Sequence, residues 1–154
     1  MSIIHVVMAV ALFAAITLGG VQYISADAPV RIRIGGAAEA GFQTLESAFR
    51  ARQAAGLPAP ETEEWEATLF PAYGTKPTPP KDLAWSYGMD ATGTWFCLSG
   101  TTQDRPTREA LDRLKARFAE GLYAVGEGCG ADAGMGAGAP GAVAATYWVA
   151  KAAS

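Results

Sequence analysis

Cysteine and histidine are the scarcest of the side chains that do chemistry in this sequence, with two Cys and one His. Cys97 and Cys129 are an even pair in a small chain, which is typical of a disulfide in an oxidising compartment. Closing their loop would stabilise the fold by roughly 3 to 4 kcal/mol in the chain-entropy model. Two free buried thiols in a cytosolic domain are the alternative. Because His5 is the one imidazole, most zinc sites and Ser-His catalytic designs lack the ligand or base that they need.

Three further patterns match functional motifs only in part. Residues 136–141 have the spacing G-x-G-x-x-G of a dinucleotide-binding loop, but Pro140 removes an N–H donor. The acid that binds the ribose lies ~20 residues further along in such proteins, and fewer residues than that follow this motif. Ser99 lacks the preceding glycine of a nucleophile elbow. The glutamates of segment 61–66 lack the alternating Asp and Gly of a calcium loop, which favours a solvated acidic turn. We therefore predict no catalytic residue, no cofactor-binding residue and no metal ligand.

The overall charge supplies no basic surface for a polyanion. The 154 residues include 12 Lys or Arg and 15 Asp or Glu, which gives a net charge of -3 with His neutral. Nucleic-acid-binding domains concentrate positive charge on one face. We therefore expect no nucleic acid among the partners.

The N-terminal segment is apolar and long enough for a membrane. The first charged side chain is Asp27, and Ile3–Ile24 would form a helix of about 33 Å at ~1.5 Å per residue, enough to cross a bilayer core of roughly 30 Å. We predict a retained anchor. The main alternative is a secretory signal cleaved after Ala28, since residues 26–28 fit a small-x-small site, although the run exceeds the usual h-region and no Lys or Arg precedes it. A buried core helix is the third option.

Small residues recur along this apolar segment. Ala11, Ala15, Gly19 and Gly20 would let helices approach one another closely, as small residues do at helix interfaces in membranes. The expected partners are the lipid bilayer and copies of the chain or related subunits.

The orientation of this segment has two conflicting signals. Arg31 and Arg33 follow it directly, and the positive-inside rule would place that side in the cytoplasm. A disulfide between Cys97 and Cys129 would place the same side in an oxidising compartment. We favour the second arrangement, with the N-terminus inside and the head outside.

An amphipathic helix is predicted over Ala37–Ala55. Phe42, Leu45 and Phe49 recur at helical spacing, and Gly56 then ends the pattern. Such an aromatic stripe usually packs on its own domain, and packing against copies or partners is the alternative. Before it, Pro29 would bend or interrupt a helix, so residues 27–36 are predicted as a joint of undefined form.

The remaining residues predict a small α+β head. Segment 57–82 is rich in proline and predicts a long surface connection, with a turn of helix near Trp65. The other predicted elements, in chain order, are a hairpin of strands Leu83–Met89 and Thr94–Ser99, a helix from the N-cap Asp104 to Gly121, a strand at Leu122–Val125, a glycine-rich loop and a last strand at Ala142–Ala150. Most of the tryptophans are expected in the core.

This order of elements resembles that of a type IV pilin or pseudopilin. The family has an apolar N-terminal helix with an amphipathic continuation, a variable connection, an antiparallel sheet and a late disulfide, which corresponds here to Cys97 and Cys129. The resemblance implies that the apolar half of the helix anchors the subunit in the inner membrane and later packs in the filament core. His5 stands where a processed major pilin usually carries Glu, and no charged leader precedes the apolar run, which points to a minor or atypical subunit.

The expected fold is therefore α+β: a long apolar N-terminal helix, then a head with an antiparallel sheet, one or two helices and one disulfide. The expected units are residues 1–28 as a transmembrane or filament-core helix, 29–56 as joint and amphipathic helix, and 57–154 as the head. The expected function is a non-enzymatic filament subunit in the bacterial inner membrane with a periplasmic head, or in an extracellular pilus. A secreted periplasmic binding or inhibitor domain is the alternative, and an enzymatic role is a third.

Overall fold

The computed structural model describes residues 26–101, 104–133 and 141–152. The apolar run Ile3–Ile24 of the predicted anchor lies outside the described residues, and so do most of the 136–141 glycine motif and the small residues Ala11, Ala15, Gly19 and Gly20. Among the helices of the described ranges, none combines the length and the apolar character needed to cross a bilayer.

The first described element is a 27-residue helix, α1 (Ala28–Ala54). Pro29 lies in its first turn, where a missing N–H leaves no helical hydrogen bond unmade. The helix therefore begins at Ala28 rather than at the predicted Ala37, and most of the predicted joint is helical. Gly35 costs helix propensity, about 1 kcal/mol, but it is buried beside Ala110 of a neighbouring helix, and this packing keeps the segment helical.

Four antiparallel strands form one sheet in the order β1-β2-β4-β3. Their bounds are β1 (Ala84–Asp90), β2 (Gly93–Thr101), β3 (Tyr123–Gly126) and β4 (Ala142–Lys151). The predicted hairpin is confirmed, and its turn ends at Gly93, whose φ of 126° suits only glycine. The coarse prediction of an α+β fold with an antiparallel sheet is also confirmed.

Two shorter helices complete the described fold, α2 (Trp65–Leu69) and α3 (Arg105–Arg113). The helix predicted from Asp104 to Gly121 begins as expected but becomes a 3₁₀ turn after Arg113. This change of path places the Phe118 ring in a stacked contact with Tyr123, with 4.8 Å between ring centroids. Aromatic packing thus ends the α-helix earlier than the apolar spacing predicted.

The helix α1 covers one face of the sheet, called here the helix face. Phe42 and Leu45 of α1 are 0% exposed, and the Phe42 ring contacts Trp85 of β1 edge-on at 5.0 Å. Side chains alternate along a strand, so Phe96 of β2 points to this face while its neighbour Cys97 points to the other.

Candidate assembly surface

The face of the sheet opposite α1 carries the disulfide and is called here the disulfide face. Cys97 of β2 is bonded to Cys129 over a sequence separation of 32, with 5.9 Å between their Cα atoms. The predicted disulfide is therefore confirmed. Cys97 is 0% exposed, and the Thr146 hydroxyl lies 3.6 Å from its sulfur. A buried bond of this kind acts as a structural staple.

A single carboxylate holds the loop that contains Cys129. Asp90, at the end of β1, accepts hydrogen bonds through Oδ2 from the indole N–H of Trp95 and the backbone N–H of Ala131, each at 2.8 Å. Its Oδ1 accepts from the backbone N–H and the hydroxyl of Thr92. Burial raises the pKa of Asp90, but these hydrogen bonds outweigh it, so the pKa lies below its usual value.

Close approach at Gly130 tightens the same loop. A side chain at Gly130 would overlap the carboxylate of Asp90 and the ring of Trp95. The backbone N–H of Gly130 donates to the Thr146 hydroxyl at 3.2 Å, which satisfies a buried polar group of the central strand β4. One covalent bond and several hydrogen bonds thus fix the disulfide face, and its role is to stabilise the fold.

The first turns of α1 expose apolar side chains. Ile32 is 74% exposed and Val30 is 36% exposed. Between them, Arg31 pairs with Glu109 of α3 at 2.9 Å, which fixes this end of α1 against α3. The hydrogen bond from Arg105 and the charges of Arg105 and Arg31 hold the pKa of Glu109 below its usual value. Val30 and Ile32 are two residues apart and therefore lie on different sides of the helix, so the more exposed Ile32 is the candidate contact residue.

A groove of about 270 Å³ runs between α1 and the α3 segment beside these turns. Three arginines line it, and it is called here the arginine groove. Its lining is Arg31, Ile32, Gly35, Gly36, Glu39, Ala110, Arg113, Leu114 and Arg117. In the described ranges, the side chains of Arg113 and Arg117 are exposed and make no hydrogen bond or ion pair. The groove therefore presents two unpaired guanidinium groups against one carboxylate, that of Glu39.

No protein-family model, curated protein or solved structure matches this chain. The function must therefore be argued from the surfaces of the described residues.

The predicted amphipathic stripe lies inside the head. Phe42, Leu45 and Phe49 are at most 1% exposed and pack on the helix face of the sheet. Trp65 joins them from α2, with 5.6 Å between its ring centroid and that of Phe96. These residues hold α1 on the sheet and leave its first turns for other contacts.

The acidic segment is exposed, as its composition indicates. Glu61, Glu63 and Glu64 form an exposed turn, and in the described part of the chain their side chains have no ion-pair partner. Glu66 pairs with Lys76 at 2.6 Å.

Sequence reasoning missed the exposed Ile32 and the arginine groove. The residues of the groove are distant in sequence and meet only because α3 packs on α1. The signal available in the sequence was the pattern Val30-Arg-Ile-Arg-Ile34, in which apolar side chains alternate with charges instead of following the helical period.

Proposed function

We propose that this chain is a non-enzymatic, pilin-like structural subunit of a type IV pilus or a related secretion filament. The observation that carries the proposal is the exposure of Ile32 on the first turns of α1, which directly follow the uncharged N-terminal segment. An exposed isoleucine close to the apolar segment would add one apolar contact to the lateral packing of neighbouring subunits.

The two halves of α1 would have different roles in such a subunit. The half with Phe42 and Phe49 attaches the helix to the head, since both rings are buried on the sheet. In the half that begins α1, the exposed Ile32 would extend the contact that the N-terminal segment makes with the bilayer or with sibling helices. The expected partners are copies of the chain or other pilin-like subunits, in the bacterial inner membrane with the head in the periplasm, or in an extracellular pilus.

Lateral packing of the N-terminal segment provides the test. Gly19→Leu in the full chain should reduce oligomers in membranes, because a bulky side chain keeps helices apart. Ile32→Asp should reduce them as well, whereas Ala67→Asp, at an exposed position on α2, should leave them unchanged. Chemical cross-linking in membranes followed by denaturing electrophoresis measures the oligomers. Equal yields for Gly19→Leu, Ile32→Asp and the unsubstituted chain would contradict the proposal.

A secreted periplasmic binding or inhibitor domain is the second candidate. The start of α1 at Ala28 favours it, because the described helix begins where the small-x-small pattern ends. Intact mass under non-reducing conditions separates the two candidates. A mature species without residues 1–28 supports the secreted domain, and a chain that retains them in membrane or filament fractions supports the subunit.

A further inference from the structure

Two oppositely charged surfaces of this chain lie at different ends of α1. The arginine groove lies beside Ile32 and Gly36, near the start of the helix. The turn of Glu61, Glu63 and Glu64, called here the acidic turn, precedes α2, which packs at the far end of the helix.

The acidic turn is held in place by the core residue that follows it. Trp65 is 6% exposed, and its ring packs on Phe96, which in turn contacts Phe49 of α1 at 6.3 Å between ring centroids. Trp65 therefore ties the turn to the part of the core that contains Phe49. At ~1.5 Å per residue, Gly36 and Phe49 are about 20 Å apart along the helix axis.

This separation prevents the two surfaces from meeting within one chain. Among the described residues, no ion pair joins the arginine groove to the acidic turn, and charges separated by more than the Debye length of ~8 Å at physiological ionic strength are largely screened. Between two copies that are displaced along the α1 axis, the same charges can come into contact.

We infer that the arginine groove of one copy docks the acidic turn of a second copy. The inference rests on the proposed function, because it assigns the head-to-head contact of the same assembly. Arg113 and Arg117 would form bidentate ion pairs with carboxylates of the acidic turn. The contact joins two different surfaces, so each copy can use its groove and its acidic turn to bind other copies.

Charge reversal on each surface tests this contact in the full chain. The double variants Arg113→Glu/Arg117→Glu and Glu61→Arg/Glu63→Arg should each lower the association constant about tenfold in detergent micelles, as expected for the loss of a few exposed pairs. Mixing the two variants should restore association, because reversed charges then face one another. Analytical ultracentrifugation measures the association, and 1 M salt should weaken only the unsubstituted chain and the mixture.

Matched controls use exposed charges outside both surfaces. Lys115→Glu lies in the same segment as Arg113 but does not line the groove, and Glu120→Arg reverses an exposed carboxylate elsewhere. Both should associate like the unsubstituted chain. All substituted positions are exposed, and an unchanged thermal midpoint verifies that each variant folds.

The remaining outcomes separate this inference from the proposed function. If the charge variants associate normally while Gly19→Leu does not, the docking contact is wrong and the proposed function stands. If only the arginine variant loses association, the groove contacts a surface other than the acidic turn. In that case, or if mixing restores nothing, the docking contact is wrong. If the unsubstituted chain stays monomeric, the proposed function fails and the docking contact fails with it.

Discussion

The two faces of the sheet are held by different kinds of interaction. On the helix face, Phe42 makes edge-on contacts with four rings, and the Tyr147 hydroxyl donates one hydrogen bond to Glu46 of α1 at 2.7 Å. On the disulfide face, the Cys97–Cys129 bond and the hydrogen bonds of Asp90 fix the loop. One face is stabilised by buried apolar area, and the other by a covalent bond and by charge-assisted hydrogen bonds.

This difference means that the faces should respond to different perturbations. The central strand β4 is buried on both sides from Val143 to Val149, so it transmits the loss of either face to the whole sheet. Cavities should weaken the helix face at any pH or redox potential. Reductants should act on the disulfide face, and acid should weaken that face through the hydrogen-bonded carboxylate of Asp90.

Phe42→Ala should have the largest effect. The ring is 0% exposed, and deleting a buried phenylalanine side chain costs about 3 to 5 kcal/mol because it leaves a cavity. Denaturant unfolding of the full chain in detergent micelles, followed by tryptophan fluorescence, gives the free energy of unfolding. Ile32→Ala, on the same helix but 74% exposed, should change it by less than about 0.5 kcal/mol. Similar losses for both variants would show that the helix face does not depend on Phe42.

Loss of the disulfide should rank next. Cys97→Ala/Cys129→Ala removes a cross-link over a sequence separation of 32 and should lower the free energy of unfolding by about 3 to 4 kcal/mol. The measurement is denaturant unfolding with and without a reductant. The free energy of unfolding of the double variant should not change with the reductant. That of the unsubstituted chain should fall toward the value of the double variant. A chain that is equally stable in both conditions would contradict the role assigned to the disulfide face.

Two glycines of α1 should shift stability in opposite directions. Gly41→Ala places a methyl group against the ring of Trp85 and should cost about 1 to 3 kcal/mol through overpacking. No side chain and no other element lies within 4 Å of a methyl group added at Gly36, so Gly36→Ala should stabilise the helix by about 0.4 to 1 kcal/mol through lower chain entropy. Thermal unfolding measures the stability of both variants. A stabilising Gly41→Ala would mean that Trp85 is free to move from the helix face.

The elements that could be predicted from the sequence depend on local signals. The hairpin follows from two strand-like runs around the turn Asp90–Gly93, and Gly56, with φ of 74°, ends α1 where the pattern predicted. The start of α1 was predicted too late because a proline such as Pro29 is also typical of an interrupted helix. Only packing on α3 shows that the proline belongs to a first turn.

The candidate surfaces depend on contacts between residues that are far apart in the sequence. The spacing of residue types along a single sequence does not predict such contacts. The bond from the Ala131 N–H to Asp90 spans 41 residues, and the salt bridge from Arg31 to Glu109 spans 78. The cysteine pair is the exception, since an even pair in a small chain favoured a bond between Cys97 and Cys129 over two free thiols.

Asp90→Asn should have the smallest effect and should be the only one of these changes that depends on pH. An amide cannot accept all four hydrogen bonds, but the carboxylate is exposed and screened by water, so the loss at neutral pH should stay below about 1 kcal/mol. Because the pKa of Asp90 is lower in the folded chain, its stabilisation is complete above the unfolded pKa, about 3.9, and is lost as the pH falls through the folded value. Urea unfolding from pH 7 to pH 2 should therefore show the free energies of unfolding of the unsubstituted chain and Asp90→Asn converging in acid.

Asp132→Asn, in the same loop and without a side-chain hydrogen bond among the described residues, should follow the unsubstituted chain throughout. A gap between the unsubstituted chain and Asp90→Asn that stays constant down to pH 2 would mean that the ionised carboxylate does not hold the disulfide face.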